Sequence, residues 1–183
     1  MKATTIAAAL AAALATSSVA SATTFDLSYT GADFSLTATL DTTSLGGGDY
    51  LVTGLVGTVT DGGGPEAITL LPGGPGVFSS PSGTFPLNNV LYSPPVPTSF
   101  DFYGLGFTAS GDEWNLCAAN VGGCPNVYTL FQFNPSTGAL VTDSGSAIVS
   151  EVPEPATWAM LALGFVGLGL VGSRKARSAV SIA

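Results

Sequence analysis

The sequence predicts an all-β body of short antiparallel strands, meander-like or sandwich-like, followed by a single C-terminal transmembrane helix. Two apolar–polar alternations carry the first part of that reading. Phe25, Leu27 and Tyr29 alternate with Asp26 and Ser28, and Phe34, Leu36, Ala38 and Leu40 alternate with Ser35, Thr37 and Thr39. A period of two is that of a half-buried strand. Glycine- and proline-rich stretches punctuate the chain at short intervals, as turns between short strands do. The third observation is an uncharged apolar run over residues 156–172.

Taken in order, the first two strands form a hairpin through residues 29–33. Leu45-Gly46-Gly47-Gly48-Asp49 turns the chain into a third strand from Tyr50, where Gly54 and Gly57 predict a bulge or bend near Leu55 and Val56. Asp61-Gly62-Gly63-Gly64-Pro65 is a further turn, followed by a short strand over 67–71. From 72 to 97 seven prolines sit among glycines and serines. Proline at that density cannot lie in a central strand, so a long irregular excursion is expected, with one short edge piece over 87–92. Regular pattern resumes over 99–107, 114–117 and 127–133, and a last strand is expected near 147–149. These elements suit a meander, a sandwich or a small barrel.

The N-terminus has the three parts of a secretory signal peptide. Lys2 precedes an alanine- and leucine-rich stretch over 6–15, and small residues stand at Ala20 and Ala22. Cleavage after Ala22 would start the mature chain at Thr23; a retained N-terminal anchor is the alternative. The division expected is a signal peptide over 1–22, an exported β-rich domain over 23–150, a C-terminal signal over 151–177 and a short extension over 178–183. About 128 residues are enough for one domain with a modest core. The partners implied are the Sec translocon and signal peptidase.

Charge placement points the same way. The four basic residues are Lys2, Arg174, Lys175 and Arg177, all outside the body, while the twelve acidic residues lie between Asp26 and Glu154. There is no histidine. The body therefore lacks the cations that neutralise phosphate, which excludes nucleic acid as a partner and argues against docking on anionic lipid heads. An acidic surface keeps an exported protein soluble.

The apolar run makes a helix of about 25 Å at ~1.5 Å per residue, at the short end of what spans a bilayer core. Trp158 stands at one end, where indoles favour the interface, and Arg174, Lys175 and Arg177 close the other. Basic residues resist translocation, so that end should remain cytoplasmic. Its glycines, at 164, 167, 169 and 172, are poor material for a soluble helix and form no G-x-x-x-G face. Just outside the run, Pro153-Glu154-Pro155 cannot be helical interior, and Glu154 is pushed towards an extended conformation. An extended segment at the membrane surface is a shape that proteases and transpeptidases grip.

This arrangement of Val152-Pro153-Glu154-Pro155, glycine-rich span and basic tail at 174–177 resembles the PEP-CTERM sorting signal of Gram-negative bacteria. The resemblance covers 152–177; the extra residues after Arg177 are a departure. It implies recognition by an exosortase, an integral-membrane cysteine transpeptidase that cuts near the motif. It also implies an inner-membrane-anchored precursor with a cytoplasmic C-terminus, and a mature form at the cell surface or outside. The body resembles, more weakly, a recurrent domain of uncharacterised proteins carrying that signal.

Cys117 and Cys124 enclose six residues, Ala-Ala-Asn-Val-Gly-Gly. In an oxidising compartment such a pair is read as a disulfide. Two thiols without histidine fall short of a structural zinc site, and the spacing is not the redox C-x-x-C. No metal and no cofactor is expected.

Catalytic options are narrow. Without histidine no Ser-His-Asp or Cys-His arrangement can form, and without lysine in the body no Ser-Lys or Schiff-base chemistry. Carboxylates remain. Asp112 and Glu113 would point to opposite faces of a strand and are expected in the turn at Ser110-Gly111; Glu66 and Asp101 have no evident geometry. The aspartate–glycine stretches at 46–49 and 61–64 match no calcium-loop spacing and read as turns. Two functions follow. One is a non-enzymatic surface or matrix protein associated with exopolysaccharide and biofilm. The other is a carbohydrate-binding module using Tyr92, Tyr103, Trp114 or Tyr128 as stacking platforms, provided those rings are exposed rather than in the core.

Overall fold

In the computed structural model the described residues are 22–92, 99–118, 128–153, 162, 163 and 165. Strand alternation builds the first half. β1 (Ala22–Thr30) and β2 (Ser35–Gly46) form the expected hairpin, with Phe25 opposite Leu40 and Tyr29 opposite Leu36. β2 then pairs with β3 (Asp49–Thr60). Their register shifts where Asp41 faces Gly54 and Thr42 faces Val52, so the bulge falls at Thr53, two residues before the predicted bend. Thr53 Oγ1 donates to the Asp41 carbonyl there, at 3.2 Å. Beyond the bulge β3 continues unbroken past both glycines.

The second half runs through β10 (Leu105–Ala109), β11 (Asp112–Cys117), β12 (Tyr128–Asn134) and β13 (Ala139–Val152), again antiparallel. Ser110 and Gly111, with φ of 49° and 91°, form the tight turn between β10 and β11. Such a turn matches the right-handed twist of its strands. Asp112 and Glu113 accordingly open β11 rather than lying in the turn.

β13 joins the halves. Its residues 139–145 pair with β12 and its residues 146–152 with β1. It is far longer than the expected 147–149 and runs two residues beyond the expected body boundary at 150. On the other side, β4 (Pro65–Ala67) pairs with β3, and β5 (Thr69–Leu70) pairs with β10. Between them the Ile68 amide donates to the Gly57 carbonyl at 3.2 Å. The sheet therefore curls almost closed around one core, a barrel-like form of the expected antiparallel all-β fold.

Core side chains come from both halves. Phe34 meets Trp114 edge-on at 5.0 Å between ring centroids, and Phe107 stacks on Trp114 at 6.1 Å. Burial of rings this large dominates core energetics. The proline-rich excursion is more ordered than its composition suggests. β6 (Phe78–Ser79) pairs with β7 (Pro86–Leu87), while β8 (Val90–Tyr92) lies between β3 and β9 (Ser99–Phe100). Leu87 and Leu91 are fully buried. The prolines punctuate this stretch and its apolar residues fasten it to the barrel. No helix among the described residues is long and apolar enough to cross a membrane.

Candidate functional site

Both ends of the body emerge at one rim. Thr24 faces Val152 and Phe25 faces Glu151 across the β1–β13 ladder. Pro153 follows, exposed, directly after the last paired residue. At the other end Ala22, the expected cleavage position, is exposed at the start of β1 and paired with Thr43. Thr23 is buried, and its carbonyl accepts the Thr42 hydroxyl proton at 2.6 Å. Ala20, Glu154, Pro155, Trp158, Arg174, Lys175 and Arg177 lie outside the described residues, as does Cys124. Cys117 is buried at the end of β11.

Sequence reasoning missed how this body handles buried carboxylates with no cation of its own. The Asp143 side chain, on β13, accepts the backbone amides of Ala32, Asp33 and Phe34 at 3.0, 3.3 and 2.9 Å. It thereby closes the β1–β2 turn from the far half of the barrel. Gly31 makes room for it, since a methyl group there would overlap the carboxylate. Beside it the Tyr29 hydroxyl donates to the Asp143 carbonyl at 2.9 Å. Burial, and then the Asp143 charge, push the Tyr29 phenol well above its ordinary value. Glu113, also buried, accepts the amide and hydroxyl of Ser82 at 2.8 and 2.6 Å and so ties the proline-rich excursion to β11. Charge-assisted bonds of this kind are roughly twice as strong as neutral ones.

A third carboxylate, half-buried, lines a cleft. Asp101 follows β9 and accepts the amides of Tyr103 and Gly104 on Oδ1, at 2.9 and 3.1 Å. Its Oδ2 accepts the Asn88 side-chain amide at 2.8 Å and the Tyr92 hydroxyl at 3.3 Å. The cleft encloses about 290 Å³, and Asp49, Asn88, Tyr92, Asp101 and Tyr103 are among its lining residues. Asp49 arrives from β3, as the direct cross-strand partner of Tyr92. Burial raises the Tyr92 phenol pKa, and the charges of Asp101 and, less, Asp49 raise it further.

The four predicted platform rings thus separate. Tyr92 and Tyr103 are half-buried in this one cleft. Trp114 is fully buried and Tyr128 packs half-buried against the core, so neither follows the row expected of stacking platforms. The acidic residues weighed for catalysis are not brought together. Asp112 accepts from Gln132 Nε2 at 2.8 Å, Glu113 binds Ser82, and Glu66 sits on β4 opposite Val59. In the 61–64 turn the Asp61 carboxylate accepts the Gly63 amide, an ordinary turn bond. Among the described residues no group of three or more His, Cys, Asp or Glu side chains could hold a metal ion.

Comparison with curated proteins and with solved structures found no match. A scan against protein families matched residues 151–175, beginning on the last two paired residues of β13 and reaching through Pro153, Glu154, Pro155 and Trp158 to Arg174 and Lys175. This chain carries the PEP-CTERM protein-sorting motif, which supports its being an exported protein targeted by exosortase.

Proposed function

We propose that this is a non-enzymatic cell-surface or extracellular matrix protein, delivered by an N-terminal signal peptide and released or re-anchored by exosortase. The observation that carries the reading is the placement of the sorting motif. It begins where the barrel's last strand ends, so cleavage beyond Val152 leaves every sheet pairing intact. Residues 156–172 serve as the transient inner-membrane anchor; the described part of that run, Ala162, Leu163 and Phe165, is helical and exposed. Cys117 and Cys124 form a structural bridge, and the acidic surface suits a hydrated exopolysaccharide or biofilm matrix. Fractionation of the native host, with and without its exosortase, tests this. The protein should leave the inner membrane only when the enzyme is present.

A second reading is favoured by the cleft. Tyr92 and Tyr103 place two half-exposed rings beside polar groups, the composition of a carbohydrate-binding module on the same export route. Retention of the intact protein on immobilised glycans, lost on Tyr103→Ala, is the test.

A further inference from the structure

The cleft between β3, β8 and the 101–104 turn carries negative charge that nothing in the body can neutralise. Asp101 is held by amide and hydroxyl donors, which fix its orientation and leave its net charge in place. The Asp49 carboxylate accepts no hydrogen bond from any described residue. Lysine, arginine and histidine are absent from residues 3–173, so no described side chain supplies either group with a counter-cation. Both carboxylates act on the same phenol, Tyr92, which pairs with Asp49 across the ladder and donates its hydroxyl proton to Asp101. Tyr103 adds a second ring, braced edge-on by Phe102 at 5.5 Å.

Two aromatic rings and two carboxylates, one of them held in place by four hydrogen bonds, in a cleft of about 290 Å³, form the environment that attracts an organic cation. Ring faces attract ammonium groups through their quadrupole, and partly desolvated carboxylates supply the larger, longer-range attraction. A hydrated metal ion gains little here, because the acidic side chains are too few to form a coordination shell. We propose that this cleft binds an organic ammonium group, primary or quaternary, in preference to neutral polyols. The inference does not rest on the carbohydrate reading. An amino sugar satisfies both, whereas a small alkylammonium satisfies only this one.

The test uses the full chain, ¹⁵N-labelled, in a non-ionic polyoxyethylene detergent that offers neither sugar nor ammonium. Tetramethylammonium, methylammonium and glucosamine chlorides are titrated beside neutral glucose at matched ionic strength. At least one ammonium probe should give saturable shifts in the amides of Asn88, Tyr92 and Tyr103, weakening as salt rises, and glucose should give none. Shifts with glucosamine alone identify an amino sugar as the source; shifts with tetramethylammonium identify a quaternary amine. Asp49→Asn keeps the shape and breaks no hydrogen bond among the described residues. It should weaken ammonium binding roughly two- to fivefold, the range of one partly exposed charge pair, without lowering the melting temperature. Equal shifts from glucose and glucosamine overturn the proposal and leave the carbohydrate reading standing. Silence from every probe, or an Asp49→Asn variant that binds as tightly as the parent, overturns it too.

Discussion

Thr24 and Val152 are cross-strand partners, so the second residue of the expected mature chain lies beside the last residue before the sorting prolines. The body is thereby closed by its own ends. β1 and β13 are both interior strands of the sheet, and removing either would open the barrel.

A chain ending after Pro153 should keep the parent's cooperative unfolding, because every pairing of β13 survives. One ending after Gly145 loses the whole β1–β13 ladder and should fail to give a cooperative transition. Thermal melts of the two truncations by circular dichroism check this. Equal midpoints would show that the terminal ladder is dispensable.

Asp143→Ala should destabilise the fold by roughly 3 kcal/mol, since it strips a charged acceptor from one buried and two part-buried amide bonds. Gly31→Ala should cost a similar amount by pushing the same carboxylate out of its seat. Because the two changes disturb one contact, their combination should cost clearly less than the sum. Urea midpoints of the single and double variants give the coupling; additive costs would break the link drawn between the residues.

Alkaline stability should depend on Tyr29. Its native phenol titrates above the ordinary tyrosine value, so above about pH 10 the unfolded chain loses its proton first. Stability contributed by the neutral phenol is complete below that pH and is lost as pH rises towards the native pKa. Tyr29→Phe should be less stable by about 1 kcal/mol at neutral pH and should lose less between pH 9 and 11 than the parent. Tyr92 and Tyr128 are raised as well, by burial first, so part of the slope should remain. Identical pH profiles for parent and variant would contradict this.

The proposed bridge has its own signature. Cys124→Ser should lower stability by roughly 2 to 2.5 kcal/mol under oxidising conditions, and the gap should shrink when both proteins are reduced. Alkylation followed by mass measurement should find no reactive thiol in the unreduced parent, even after unfolding. Two alkylated thiols would rule the bridge out.

Much of this fold was legible because alternation and burial coincide in β1 and β2. The legible pattern faded where they part. In the first half of β13 Leu140 and Val141 are exposed while Asp143 is buried, so the strand carries no buried apolar stripe and only its second half could be read. The proline-rich excursion looked irregular for a related reason: its order comes from Leu87, Asn89 and Leu91 docking on distant strands. Asn89, at a positive φ, donates its side-chain amide to the Leu71 carbonyl and accepts the Gly106 amide. The cleft was half visible. Tyr92 and Tyr103 are near neighbours in sequence, but Asp49 reaches them only through the β3–β8 ladder, which no local periodicity announces. The sorting motif was fully legible, since its recognition resides in linear sequence rather than in the fold.

Exosortase is proposed to process this chain beyond an intact barrel. The most direct measurement is the intact mass of the mature protein from its native host, beside a host lacking exosortase and a Glu154→Ala variant. The wild-type protein should begin at Thr23, end at or shortly after Val152 and be found outside the inner membrane. Both controls should keep the basic tail. A wild-type protein that retains residues 174–183 and stays in the inner membrane would contradict this proposal, and would make the C-terminal segment a plain anchor.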